Sequence, residues 1–402
     1  MAIGIIAEYN PFHAGHAHQI SAIKKFSDAQ IVVAMSGSFT QRGTPTILDK
    51  WTRARLAIEG GADLILELPF VSAVRSAQDF ARGGIKLLDG LGVVDTLAFG
   101  AELANLSALK AAAAAFEEKF FAAELRRLMS TGTSYAAAVT KILSVATGLD
   151  EKILRQPNTI LAIEYLRALP EKISPLVIER VGAYDDLTLQ EKFSSAAAIR
   201  SAVRKISPPW EKISACVSSG TLAALREEKN FADEKFLFRP LLAKLLTSTA
   251  GDLRKIFGMT EGLEYRLMNA ASAKNFSALV ETLTARRYTA ARIRRLLLNF
   301  LLNITNELIA EADASTCARV LAFNERGRVL LKKISAPVVT KLTKHLNRRD
   351  LLERRRILQP YQKILLADVL ATNLRAILFD TPRRLQEDFS TPPKFVRTRT
   401  DS

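Results

Sequence analysis

Three of the four histidines, His13, His16 and His18, fall within six residues of one another. His13 and His16 are three apart, so a helix beginning here sets both on one face. Gly15 between them has no side chain and would let a phosphate approach the backbone closely. A helix start also offers free N–H groups and the positive end of the helix dipole, which suit an anion. Two imidazoles in that place can donate hydrogen bonds to phosphoryl oxygens as charge builds on them. That is electrostatic stabilisation of phosphoryl transfer rather than covalent catalysis. Two plainer readings compete: three nitrogen ligands for zinc, or a chance group of surface histidines. Against zinc, His18 stands two residues after His16 and points off the shared face.

Elements able to position such a pair are present around it. Ile3–Ala7 is an apolar run, and Asn10-Pro11 marks a turn from it into the helix. Further apolar runs fall at 30–35, 63–68, 96–99 and 175–181. Each is continuous rather than alternating, as in strands buried on both faces. Helical patterns lie between them at 14–26, 49–60, 78–91 and 103–146, so a parallel α/β sheet is expected over 1–205. Its ligand should sit at the carboxyl ends of the strands, near the switch point of the sheet. From about Ser194 helical periodicity takes over, and 206–390 reads as a mainly α domain. The end from Thr391, with Pro392, Pro393 and alternating Arg and Thr, reads as a flexible basic tail.

Charge divides along the same line. Residues 1–234 hold 26 basic and 26 acidic side chains, and the whole net charge of +16 sits in residues 235–402. Such asymmetry suggests a polyanionic partner for the second half. Cys216 and Cys317 are far apart and make neither a disulfide framework nor a CxxC metal site, so a cytoplasmic setting is expected. The short apolar start before Glu8 lacks a basic leader, and no apolar stretch reaches the roughly 20 residues that a membrane span needs.

The wider string around the histidines, Gly4-Ile5-Ile6-Ala7-Glu8-Tyr9-Asn10-Pro11-Phe12-His13-Ala14-Gly15-His16, resembles the bacterial tRNA(Met) cytidine acetate ligase family. That family belongs to the HIGH-type nucleotidyltransferases. Blocks at 35–45, with Lys50 and Arg53 following, and at 61–69, 99–102 and 157–161 are similar to it. So are Glu261–Arg266 and Arg287-Tyr288-Thr289 with Arg292, so the resemblance covers most of the chain. It implies formation of acetyl-adenylate from ATP and acetate, then acetylation of N4 of the wobble cytidine in elongator tRNA(Met). A neutral α/β half would handle ATP with Mg²⁺ on its phosphates, and no protein ligand to a metal is expected. A basic helical half would hold the tRNA.

By the same resemblance, the ATP-binding loop comprises Ile6, Ala7, Glu8, Tyr9, Asn10, Pro11, Phe12, His13, Ala14, Gly15, His16, Ala17, His18 and Gln19. Gly100, Asn158 and Arg180 join it at the nucleotide. Asn158 can read adenine or ribose, or simply cap a helix. Arg180 can pair with phosphate, or with Glu179 or Asp185. A second phosphate motif, Ile-Ser-Ser-Thr-x-x-Arg in type, finds its match in Phe193–Arg200. Ser195 and Arg200 keep their places there, while Ala197 stands where a threonine is usual. Ser36, Gly37 and Arg42 follow the second strand and are candidates for acetate or the cytidine, with tRNA phosphate an alternative for Arg42. For tRNA, Arg286, Arg287, Arg292, Arg294 and Arg295 form the densest basic cluster, with Tyr288 interleaved. Arg348, Arg349, Arg354, Arg355 and Arg356 form another. The competing functions are an adenylyltransferase of the same fold acting on a small metabolite, and a non-enzymatic nucleotide-binding protein of RNA metabolism.

Overall fold

The computed structural model describes residues 1–180, 188–190, 193–260, 262–347, 349 and 358–397. Its centre is a mixed sheet in the order β5-β4-β1-β2-β3-β6-β7, with β8 paired to β6. The strands are β1 (Ala2–Ala7), β2 (Gln30–Ser36), β3 (Leu64–Leu68), β4 (Val94–Ala101), β5 (Ser174–Glu179), β6 (Ala318–Phe323), β7 (Val338–Val339) and β8 (Lys394–Phe395). The first five are parallel throughout. The chain runs outward from β1 through β2 to β3, then returns to place β4 on the other side of β1. The direction of winding therefore reverses between β1 and β4, where open α/β sheets hold their ligands.

Alternation along β2 shows why these runs are continuous. Ile31, Val33 and Met35 enter one core, while Val32 and Ala34 enter another on the opposite face. The first core is covered by α1 (Ala14–Phe26) and α2 (Lys50–Glu59), with Ile20, Ile23, Trp51 and Leu56 packed into it. The second takes Phe80, Ile85 and Leu88 from α3 (Ala77–Gly90) and Ala162 and Ile163 from α4 (Pro157–Ala168). The later helices that bear on function are α5 (Ala196–Val203), α6 (Ala290–Leu302) and α7 (Pro360–Ala376). Thr289 caps α6 through the Arg292 N–H, and Asn303 closes it in the left-handed conformation at φ 54°.

The second half is not wholly helical. β6 adds antiparallel to β3, pairing Leu64 with Phe323. The expected flexible tail is also drawn in: Lys394 and Phe395 pair with β6, and Val396 donates to the Phe323 carbonyl. The edge of β6 offers open backbone groups, and pairing satisfies them. A buried ionic network fastens this region. Lys50 lies 2.7 Å from both Glu67 and Asp388, and Arg319 of β6 pairs with the same two carboxylates. Gly37 lacks a Cβ because one would stand 2.3 Å from Glu67 Oε1.

Candidate active site

His13 is the N-cap of α1, and its Nδ1 accepts from the Gly15 N–H at 3.0 Å. His16 stands at N3 and returns the favour, its Nδ1 accepting from the His13 N–H at 3.3 Å. The two imidazoles thus form a reciprocal capping box, a place usually held by Ser and Glu. Their rings stack with centroids 3.7 Å apart. Each Nδ1 acts as an acceptor, so each ring carries its proton on Nε2. Both rings are neutral. Burial, then Arg180 and Arg200, pulls the His13 pKa down to about 3. Burial, then His13 and Arg180, holds His16 well below its ordinary value. The result is a fixed pair of neutral N–H donors.

Gly15 owes its place to His13. A Cβ here would sit 2.9 Å from His13 Cε1 and 3.1 Å from its Nδ1. The glycine thus admits the folded-back imidazole, a closer requirement than the phosphate approach expected of it. Beneath the pair, Tyr9 is buried at φ 46° and meets the edges of Phe12 and His16 at 5.0 and 4.7 Å. A left-handed tyrosine is strained, and its packing holds the turn in place. The Asn10 side chain accepts from the Ile47 N–H at 2.8 Å, and its carbonyl accepts from Arg200 at 2.7 Å.

One pocket opens in front of the histidines. His13, Gly15, His16, His18, Gln19, Gly100, Arg180 and Ser195 line it, joined by Ile178, Glu179, Phe193 and Ser194. It spans the start of α1, the carboxyl ends of β4 and β5 and the start of α5. Gly100 leaves open space, with nothing nearer to a notional Cβ than the Ile178 carbonyl at 3.9 Å. Ser195 is the N-cap of α5, accepting from the Ala198 N–H at 2.9 Å. Phe193 packs edge-on to His18, and Ser194 accepts from the Gln190 N–H. The wall residues Ile178 and Glu179 belong to β5, and only its placement beside β4 brings them in.

Other predicted residues lie elsewhere. Asn158, at the second position of α4, donates to Glu102 at 2.6 Å, and Glu102 also accepts from the Thr159 N–H. Gln156 rather than Asn158 is the cap of that helix. Ser36 is fully buried, and Arg53 of α2 takes the carbonyls of Ser36 and Gly37. Neither residue lines the histidine pocket. Arg42 is exposed at the tip of the loop that follows. Two buried arginines shape this loop, and of them the sequence singled out only Arg53, as part of the family resemblance. Arg53 also binds the carbonyls of Glu8 and Leu48, and Arg375 of α7 binds those of Thr46 and Ile47.

In the basic cluster, Arg286 and Arg287 are exposed, and Arg292 sits over the Tyr288 ring at 4.8 Å. Arg294 forms a two-pronged pair with Glu234 at 2.8 and 2.9 Å. Arg295 donates to the Gln41 carbonyl at 3.3 Å. Of the second cluster Arg349 is exposed, while Arg348, Arg354, Arg355 and Arg356 lie outside the described residues, as do Glu261 and Asp185. Among the described residues, no three His, Cys, Asp or Glu side chains are grouped to hold a metal ion, and no helix is long and apolar enough to cross a membrane.

The sequence model of the HIGH Nucleotidyl Transferase family matches residues 1–388. A tRNA(Met) cytidine acetate ligase of Caldanaerobacter subterraneus is 40% identical over 86% of this chain and 89% of its own. One of Halothermothrix orenii is 34% identical over 97% and 98%. The apo crystal structure of Thermotoga maritima TmcAL superposes with a TM-score of 0.88 at 30% identity, covering 99% of this chain and all of the other. The same protein bound with alpha-thio ATP gives 0.85 at 29%, with the same coverage. The chain belongs to the HIGH nucleotidyltransferases and, among them, to the tRNA(Met) cytidine acetate ligase family.

Proposed function

We propose that this protein is an ATP-dependent ligase that activates acetate as acetyl-adenylate and transfers the acetyl group to N4 of the wobble cytidine of elongator tRNA(Met). The reading rests above all on the two Nε2–H donors at the start of α1, set beside the β1/β4 switch point. An acetate oxygen attacks the α-phosphorus of ATP, and the bond to the pyrophosphate oxygen breaks. His13 and His16 donate to phosphate oxygens where negative charge grows, and they need no proton exchange to do so. Arg180 and Arg200 supply positive field, since both already act on the histidines. Ser195 keeps the start of α5 in order at the far wall.

Mg²⁺ fits this pocket. It keeps several waters and binds phosphates with one or two carboxylates, and Glu179 is the carboxylate that lines the wall. When bound, the ion neutralises charge on the phosphates. Residues 1–205 carry this chemistry, 206–390 hold tRNA, and the setting is cytoplasmic. Arg286, Arg287 and Arg292 offer the cationic surface, and Arg42, exposed on the loop after β2, is a further candidate for it. Exchange of labelled pyrophosphate into ATP, with and without acetate, tests the first step. Nucleoside mass analysis of bulk tRNA after incubation with ATP and acetate tests the second. Exchange without acetate, or tRNA left without N4-acetylcytidine, would refute the proposal.

A further inference from the structure

The histidines leave a need unmet. Attack by a cytidine amine on acetyl-adenylate releases a proton, and neither imidazole can take it. Both Nδ1 atoms are occupied in the cap and both Nε2 atoms already carry hydrogen. Tyr9 is no better placed, because its hydroxyl is buried and burial raises its pKa. The first turn holds one further ionisable side chain, Glu8, directly after the last residue of β1.

Glu8 is held at both ends. Arg53 donates to its carbonyl at 2.5 Å, and its Oε1 accepts from the Gln41 N–H at 2.7 Å. Its Oε2 accepts no hydrogen bond among the described residues and is not sealed from solvent. The residue that orients it also touches the basic half. Gln41 gives its carbonyl to Arg295 of α6, and Gly43 packs so tightly on α6 that a Cβ would lie 3.0 Å from the Arg295 nitrogen. A carboxylate with one fixed and one available oxygen therefore stands at the sheet edge, one loop away from the cationic helix.

We propose that Glu8 is the general base of acyl transfer. Its chemistry suits cytosine, whose N4 amine is a donor that carboxylates accept from. A uracil would present a carbonyl oxygen to the same carboxylate and be repelled. In the step, N4 forms a bond to the acetyl carbon. The bond from that carbon to the AMP phosphate oxygen breaks, and its electron pair leaves with AMP. The N4 proton passes to Glu8 Oε2 and on to water. This inference rests on the function proposed above.

Glu8→Gln separates a base from a brace. The amide keeps an oxygen to accept from Gln41, but it cannot take a proton. Acetylation of tRNA at saturating substrate should fall by about 10²–10⁴. Acetate-dependent pyrophosphate exchange should fall less than transfer does, and the KM for tRNA should stay near the parent value. Glu8→Asp should recover part of the lost transfer rate. Parent-like transfer in Glu8→Gln would overturn the proposal, as would equal losses of exchange and transfer. If the parent protein itself shows neither reaction, the function proposed above fails, and this role fails with it.

Discussion

Replacing Gly15 with alanine should damage catalysis while leaving the fold alone. Gly15 is the second residue of α1, where alanine favours the helix by about 0.5–1 kcal/mol. The added Cβ meets His13 at 2.9 and 3.1 Å, against an ordinary contact of about 3.5–4.0 Å. The ring must move by roughly 0.5–1 Å, and its bond from the Gly15 N–H is lost, at a cost near 1 kcal/mol for an N-cap. The two contributions nearly cancel, so the melting temperature should stay within about 3 °C. The His13 donor moves with its ring, and a misplacement of about 1 Å can cost roughly a hundredfold in rate. Acetate-dependent pyrophosphate exchange, measured beside a thermal melt, reads both. Parent-like exchange in a folded Gly15→Ala protein would show that the His13 position does not matter to the chemistry.

Three further outcomes follow from other parts of the molecule. The depressed His13 pKa means that the unfolded chain binds its proton first on acidification. Stability should therefore fall between about pH 6.5 and 3, and a His13→Asn variant should lose less across that range in pH-dependent melts. Asp368 accepts from the Phe70 N–H at 2.6 Å, and its pKa is raised by burial and then by Glu67. Folding then favours its protonated form, and its contribution is lost as pH rises. Asp368→Asn keeps the hydrogen bond and should gain stability relative to the parent as pH increases, again by thermal melting. For tRNA, an Arg286, Arg287, Arg292→Ala triple variant should lower the slope of log affinity against log salt by about 2, at roughly 0.7–0.9 per phosphate contact. Arg294→Ala, which removes a partner of Glu234, should change it far less; equal effects in filter binding would place the phosphate contacts elsewhere.

The parts that were readable in the sequence are those governed by local physics. Parallel strands write themselves as continuous apolar runs, and β1 to β5 fall where those runs lie, although β5, at the edge of the sheet, is only half-buried rather than covered on both faces. The histidines drew attention to the pocket they line because they follow the first strand at the spacing of a helix start. β6 was not readable: six residues with Arg319 among them break the apolar run, and the strand's partner β3 is some 250 residues earlier in the chain. The arginine that interrupts β6 is satisfied only by Glu67 and Asp388, which tertiary folding supplies. Arg375 escaped notice, and Arg53 was singled out only through the family resemblance, for a similar reason. They bind backbone carbonyls of one loop, and carbonyls leave no trace in residue identity. Gly15 was seen, but its closest neighbour is the imidazole two residues before it, a fact that only the capping geometry reveals.

The proposed grip on the triphosphate rests on two neutral imidazoles locked by a reciprocal cap. Pyrophosphate exchange by a His13→Ala, His16→Ala double variant addresses it most directly. Loss of one such donor typically costs about 10²–10³, so exchange should fall by at least a thousandfold in protein that still melts cooperatively. A folded double variant that exchanges pyrophosphate as fast as the parent would contradict the account.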